Sequence, residues 1–185
     1  ADGVDALVAD LREAHRRQVE AAFQSAAQDR IEAIDRGLQH GFEAVLGLRD
    51  HLQAAGRLDP ATFAGYAAPV HGRHRYLQAL QWLPRVGPDN RAELEGQGRR
   101  LDPAFRFFTR DAAGTVRPVP ADQEFFAVQL VEPLAGNEVS LGYSASQLAT
   151  RQMAVRQALE TGEMATTGPL TLIQESGSQS GFLAM

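Results

Sequence analysis

From Val4 to Leu52 the apolar residues recur at steps of three and four: Val4, Leu7, Leu11, then Val19, Phe23, Ala26, Ile31, Ile34, Leu38, Phe42, Val45, Leu48 and Leu52. That is the spacing of one face of an α-helix, with Asp10, Arg12, Glu13, Arg16, Arg17, Asp29, Arg30, Asp35 and Arg36 on the others. No proline interrupts the run, so it predicts one helix from about Asp5 to about Ala55, roughly 75 Å long at 1.5 Å per residue. A helix of that length is a stalk, a coiled-coil partner or a spine, unless it is a long member of an ordinary bundle. Gly37, Gly41 and Gly47 soften it and admit a bend, and Gly56 closes it.

After the long helix the pattern shortens. Asp59-Pro60 reads as the N-cap and first-turn proline of a short helix that carries Phe63 and Tyr66 and is ended by Pro69. His71 and His74 then fall in a solvated loop. Leu77 to Val86 predicts a strand with Leu80 and Trp82 on one face, stopped by Pro84, and its tryptophan reads as core. Gly87 to Asn90 opens a charged helix to about Arg100. Phe105–Thr109 and Thr115–Arg117 flank Asp111–Gly114 as a β-hairpin. Phe126–Val131 is a strand ended by Glu132-Pro133, and Ser140–Tyr143 is another. Ser146 caps a helix to about Thr161, with Leu148, Val155 and Leu159 inward and Gly162 as the stop. Leu170–Gln174 and Gly181–Met185 read as adjacent strands of a hairpin whose loop is Glu175–Ser180. Antiparallel strands beside segregated helices, without βαβ repetition, predict an α+β fold.

Composition narrows the function. The 185-residue chain carries a net charge of −5, and its positive residues, all arginine, are scattered, so the footprint of a nucleic-acid binder is absent. With no cysteine there is neither a disulfide nor thiol chemistry. No apolar run approaches the ~20 residues of a membrane span. His71 and His74 have a spacing that metals accept, but no third ligand is near and Gly72 weakens the helix that would align them, so no metal site is expected. No catalytic residues are advertised either. Gly177-Ser-Gln-Ser-Gly181 puts Gln179 where a nucleophile elbow needs serine, Gly96-Gln-Gly98 lacks the third glycine of a dinucleotide fold, and a chain without lysine has no phosphate-binding Gly-Lys-Ser/Thr. A binding role remains, without a cofactor, because small sheets flanked by helices commonly enclose one pocket with few polar anchors.

Five segments in order, Leu80-Gln-Trp-Leu-Pro-Arg-Val86, Glu124-Phe-Phe-Ala-Val128 with Glu132-Pro133, Leu141-Gly-Tyr143, Arg156-Gln-Ala158 with Glu160-Thr-Gly162, and Gly168-Pro-Leu-Thr-Leu-Ile-Gln174, together resemble the CHASE domain. Domains of that kind are extracytoplasmic sensor modules of receptor histidine kinases and diguanylate cyclases, anchored by membrane helices, and include the plant cytokinin receptors. The resemblance implies a long stalk helix followed by two PAS-like antiparallel-sheet subdomains. It divides the chain into a stalk or dimerisation helix over 1–56, a membrane-distal ligand-binding subdomain over 57–174, and the start of a membrane-proximal subdomain over 175–185. The final apolar run Gly181–Met185 then reads as a cut through something longer. Also implied are a homodimer through the N-terminal helix, membrane anchoring of the full-length protein, a periplasmic location and no enzymatic activity of the sensor itself.

Site residues follow the same resemblance. Arg151 stands where the cytokinin receptors place an adenine-recognising aspartate, Thr167 matches a pocket threonine, and Ile173 a pocket leucine. Leu170, Ala145 and Phe126 complete the expected ligand-binding set, and Ser144 replaces the aspartate usual in that family. An arginine facing a pocket favours a carboxylate or phosphate through charge-assisted hydrogen bonds. An anionic small ligand is therefore expected ahead of a cytokinin. Three alternatives stay open: an adenine-type ligand met by backbone groups, an Arg151 that is a solvated helix-surface residue, and a structural or protein-interaction module with no small ligand.

Overall fold

The computed structural model of the chain describes residues 2–56, 58–111, 114–144, 149–173 and 180–185. Helix α1 runs from Asp2 to Ala55, as the three- and four-residue spacing predicts, and the Gly56 N–H closes it by donating to Gln53 O at 3.3 Å. By its contacts the chain divides into two units, residues 1–40 and 41–185. The first is helix alone. Its apolar Leu7, Leu11, Val19, Phe23, Ile31 and Ile34 are exposed, while Arg16 and Arg17 pair with Glu13 at 2.8 and 3.2 Å on a polar face.

In the second unit, the last turns of α1 bury Ala44 and Leu48 against Phe63, Ala67 and Val70 of α2, Pro60–Arg73. The glycines expected to soften α1 serve close packing instead. A side chain on Gly47 would collide with the Tyr66 hydroxyl, and one on Gly41 would press on Leu77. The Tyr66 hydroxyl itself donates to Ala44 O at 3.1 Å. Asp59 caps α2 as predicted, its Oδ1 accepting the Thr62 N–H at 2.8 Å. Pro69, however, does not end this helix but lies inside it. The N–H it lacks would have served Gly65 O, and both residues are exposed, so the freed carbonyl faces water. Burial of Val70 carries the helix onward, which makes His71 helical rather than a loop residue.

The strands that follow are β1 (Leu80–Trp82), β2 (Arg85–Val86), β3 (Phe108–Arg110), β4 (Val116–Pro118), β5 (Phe125–Phe126) and β6 (Leu130–Glu132), with helix α3 (Arg91–Leu101) between β2 and β3. They form three antiparallel ladders, β1 with β6, β2 with β5, and β3 with β4. Trp82 faces Leu130 while Arg85 faces Phe126, so Leu83 and Pro84 oppose the longer run 127–129, a β-bulge. Pro84 has no N–H to give, and the bulge turns its groups toward a third segment. Val128 N–H donates to Tyr143 O at 3.1 Å, and Gly142 N–H to Val128 O at 2.8 Å. The single strand predicted over Phe126–Val131 is therefore two.

Residues 142–144 also join β3, with Phe108 N–H donating to Gly142 O at 3.0 Å and Ser144 N–H to Phe108 O at 2.8 Å. This segment replaces the strand expected at Ser140–Tyr143. Glu138–Ser140 is one turn of 3-10 helix, held because buried Ser140 Oγ donates to Asn137 O at 2.7 Å and Asn137 Nδ2 to Pro133 O at 3.0 Å. Gly142 then takes a φ of +78°, and a Cβ there would run into Arg106 O. Only glycine fits both demands.

The layer so built has two unlike sides. One buries Phe105, Phe107, Phe125, Val86, Val119, Val128, Val131 and Leu141, with Leu94 of α3 packed against them. Phe107 meets Phe105 and Phe125 edge-on at centroid distances of 5.2 and 5.4 Å. On the opposite side, α1 and α2 cover the β1–β6 end, burying Leu80 and Leu130 with Trp82 alongside. Strand alternation leaves Arg85, Phe126, Phe108 and Arg110 pointing away from the aromatic core, and Tyr143 pairs with Phe108 there.

Helix α4, Ala149–Thr161, buries Arg151 and Ala154. Leu159, expected inward, is exposed. The expected cap Ser146 and Leu148 lie outside the described residues. After α4, residues 165–170 pair antiparallel with 181–185, bridged at Thr166–Ala184 and Leu170–Gly181. The partner of Gly181–Met185 is thus the stretch 165–170 rather than the predicted Leu170–Gln174, and it starts at Ala165, whose N–H donates to Met185 O at 2.9 Å. The Phe182 ring meets Phe42 of α1 edge-on with centroids 6.4 Å apart. Together these features make the fold α+β, with a long N-terminal helix and small antiparallel sheets.

Candidate functional site

Arg151 is the most unusual side chain of α4. One turn before Ala154, it shares that residue's buried face and is only 4% exposed. Its guanidinium carbon lies 5.1 Å from the centroid of the Tyr143 ring, a cation–π contact worth about 1–2 kcal/mol when desolvated. Its Nε finds no hydrogen-bond partner, and among the described residues no carboxylate pairs with it. Burial lowers the guanidinium's proton affinity below its ordinary value, and only Tyr143 opposes that trend. A buried charge left unpaired costs about 3–5 kcal/mol. The cation–π contact leaves the Nε donor without an acceptor, so Arg151 keeps one buried donor to satisfy. The alternative of a solvated surface arginine does not hold.

Arg151 lies over a composite surface. Tyr143 meets Phe108 at a tilt of 49°, ring centroids 5.6 Å apart, and Ser144 beside it is fully buried. Further along, Phe126 lines an open groove of about 430 Å³ between the β2–β5 ladder and α4, shared with Arg85, Glu124, Gln152, Val155, Arg156 and Leu159. That volume falls in the range of small-ligand sites, about 300–1,000 Å³. Arg85 and Glu124, 3.5 Å apart, guard its rim. Exposed Leu159 is an apolar wall of this groove, which explains its outward place better than core packing does.

Thr167 and Leu170 sit elsewhere, on the ladder with the last residues of the chain. Thr167 is buried, and its Oγ1 accepts the Leu183 N–H at 3.0 Å. Leu170 exchanges backbone hydrogen bonds with Gly181 at 2.9 and 2.8 Å. Ile173 is half-buried, and Ala145 lies outside the described residues. The structure thus places Arg151 on the Tyr143 ring, Phe126 in a groove whose lining does not include Arg151, and Thr167 and Leu170 together on a separate ladder. Among the described residues no hydrogen bond or ring contact links that ladder to the other two residues.

Sequence reasoning missed Tyr143. Tyr143 stood in a quoted segment, but its role as the surface beneath Arg151 depends on the positive φ of Gly142 just before it. Among the described residues no three His, Asp or Glu side chains gather as a metal would require, and no helix is long and apolar enough to cross a membrane.

Compared with known families, residues 56–185 match the family model described as CHASE domain. No curated protein matches the chain.

Proposed function

The chain belongs to the CHASE domain family, a family of extracellular sensor domains, and from that premise we propose that it senses a small anionic molecule held between α4 and the sheet, with Arg151 as ionic anchor. The observation that carries this reading is the buried Arg151 Nε with no acceptor. An arriving carboxylate would complete its hydrogen bonding, and charge-assisted bonds of this kind are about twice as strong as neutral ones. Phe126, Val155 and Leu159 supply the apolar wall of the groove, so the ligand would combine an acid group with an apolar body. The domain is read as non-enzymatic, its task being to report occupancy.

The finer architecture belongs to the same proposal. Residues 57–174 would form the membrane-distal PAS-like subdomain, a reading supported by the way one central segment, 142–144, joins the small ladders into a layer backed by helices. Residues 175–185 would begin a membrane-proximal one. The exposed apolar stripe from Leu7 to Ile34 supports pairing of two copies through the stalk helix. The domain would then be the periplasmic part of an inner-membrane receptor histidine kinase or diguanylate cyclase. The separate Thr167 ladder is the part that touches α1, since Thr167 holds Leu183 and the neighbouring Phe182 leans on Phe42. Signalling requires the ligand to prefer one of two arrangements of that helix, since equal affinity for both shifts nothing.

The test is a thermal-shift screen of the 185-residue chain against organic acids, amino acids, nucleobases and cytokinins. A ligand at one hundred times its Kd adds about 2.7 kcal/mol of stability, a readily measured shift. The expected result is a saturable rise with acidic compounds, abolished in Arg151→Ala and damped in Thr167→Ile. A rise with neutral adenine derivatives that Arg151→Ala leaves intact would overturn the anionic reading, and silence across the panel would favour an interaction module instead.

A further inference from the structure

A second open groove, of about 260 Å³, lies among the turn after α3, the β3–β4 ladder and the 3-10 turn, and no residue of α4 lines it. Four charged side chains do: Arg106 and Arg110, with Asp102 and Glu138. None of the four forms an ion pair among the described residues. Each acid is instead oriented by a backbone N–H. Asp102 Oδ1 accepts from Ala104 at 2.8 Å and Glu138 Oε2 from Gly136 at 3.0 Å, which leaves each carboxylate its second oxygen.

Arg110 is the more confined of the two cations. It is half-buried, and its Nε is shut off from water with no hydrogen-bond partner. Its neighbour across the ladder is Val116, whose side chain offers no acceptor. Asp111, next in sequence, is engaged with Arg117 at 3.2 Å and with the Thr115 N–H at 2.9 Å. The rest of the groove is carbon, with Phe108 and Leu141 along it and Val116 and Val139 leaving apolar surface exposed. Its volume is just under the about 300 Å³ at which drug-sized sites begin, which suits a molecule as small as one amino acid.

Both signs of charge, neither neutralising the other, beside exposed hydrocarbon complement a molecule that itself carries both signs and an apolar body. We infer that this groove binds a zwitterionic apolar amino acid, with its carboxylate on the arginines, its ammonium on Glu138 and Asp102, and its side chain against Phe108, Val116 and Val139. The site is separate from the one under α4 and does not rest on the anionic reading of Arg151. Recognition needs both charges at once, because an analogue lacking one leaves the groove's matching group unpaired, and polar sites reject such analogues most strongly.

Isothermal titration of the 185-residue chain with leucine and with leucinamide, which lacks the carboxylate, tests this. Leucine should bind about tenfold more tightly, the scale of one charge-assisted contact. Arg110→Gln should lower leucine to the affinity of leucinamide and leave leucinamide unchanged. Glu138→Gln, which keeps an acceptor for the Gly136 N–H, should weaken both compounds alike. Unliganded melting at the wild-type temperature certifies the variants' folds, and the leucine-to-leucinamide ratio on the wild-type chain decides the carboxylate contact without them. Leucine that does not bind, or binds no better than leucinamide, would overturn the inference, and so would a Glu138→Gln variant that weakens neither. Leucine binding lost in Arg151→Gln but kept in Arg110→Gln would also overturn it, by moving the amino acid to the α4 site.

Discussion

The two sides of the sheet are each covered by a helix, yet they are finished differently. Beneath α3 the contact is mostly hydrocarbon: three phenylalanine rings meet edge-on, Leu94 closes the end, and Gly98 is bare because Phe105 occupies the space a side chain would need, while Arg91 lies over the Phe125 ring and Gln129 Nε2 donates to Leu94 O at 2.8 Å. Beneath α4 a guanidinium lies on a tyrosine ring, its Nε without a partner, and an open groove flanks the same helix. The first side is closely packed, with Gln129 Oε1 as its unpaired buried atom. The second is incomplete as it stands, and an incomplete surface can be changed by what binds it. A sensor needs both, because a rigid reference is what converts a local change into a displacement elsewhere.

The comparison breaks most visibly at Phe107, which is 1% exposed. Phe107→Ala should cost about 3–5 kcal/mol, the usual range for emptying a packed aromatic site, read as a lower midpoint in urea unfolding with unchanged slope. A loss under 1 kcal/mol would mean that the aromatic side is as loosely finished as the other. Arg151→Met should act with the opposite sign. Replacing a buried unpaired charge by an apolar side chain of similar length is expected to stabilise the unliganded domain by about 1–3 kcal/mol while abolishing its response to acids. If that variant melts lower than the wild type, Arg151 has a partner in solution and the contrast fails.

Tyr66 sharpens the same point from the satisfied side. Its hydroxyl is paired with Ala44 O at 3.1 Å, so Tyr66→Phe should lose about 1 kcal/mol, where removal of the unpaired Arg151 gains. Burial raises the phenol's pKa, with Asp50 adding to the rise and Arg73 opposing it. The folded state therefore holds this proton more tightly than the unfolded chain. That contribution is complete below the unfolded phenol's value near 10 and is lost as pH climbs through the raised folded one. Wild type and Tyr66→Phe should accordingly converge in stability on alkaline titration. Parallel curves would remove the proton linkage from Tyr66.

Much of the frame was legible in the residues. Periodicity located α1, the Asp59-Pro60 pair located the start of α2, and the Asp111–Gly114 turn placed the β3–β4 hairpin. What escaped shares one cause: local rules were overridden by neighbours distant in sequence. Pro69 stays helical because the carbonyl it orphans faces water. The run Phe126–Val131 reads as one strand but is split, because Pro84, forty residues earlier, withholds an N–H and the bulge finds Tyr143 instead. For α4, hydrophobicity put Leu159 inward, whereas Arg151 and Ala154 are the buried pair. No periodicity rule buries an arginine, and this one came into view only through the register of a resembling family.

The bulge at 127–129 has a consequence for how the domain comes apart. The segment 125–132 is bonded to β2 at one end and β1 at the other, and between them it holds residues 142–144, which in turn hold β3. It is the keystone of the layer. No ladder can fray past it alone, so the three small sheets, each too short to persist by itself, share one fate and melt as a single cooperative body. Pulled on from either side, such a layer yields all at once or not at all, and that is the mechanical quality a reference surface requires.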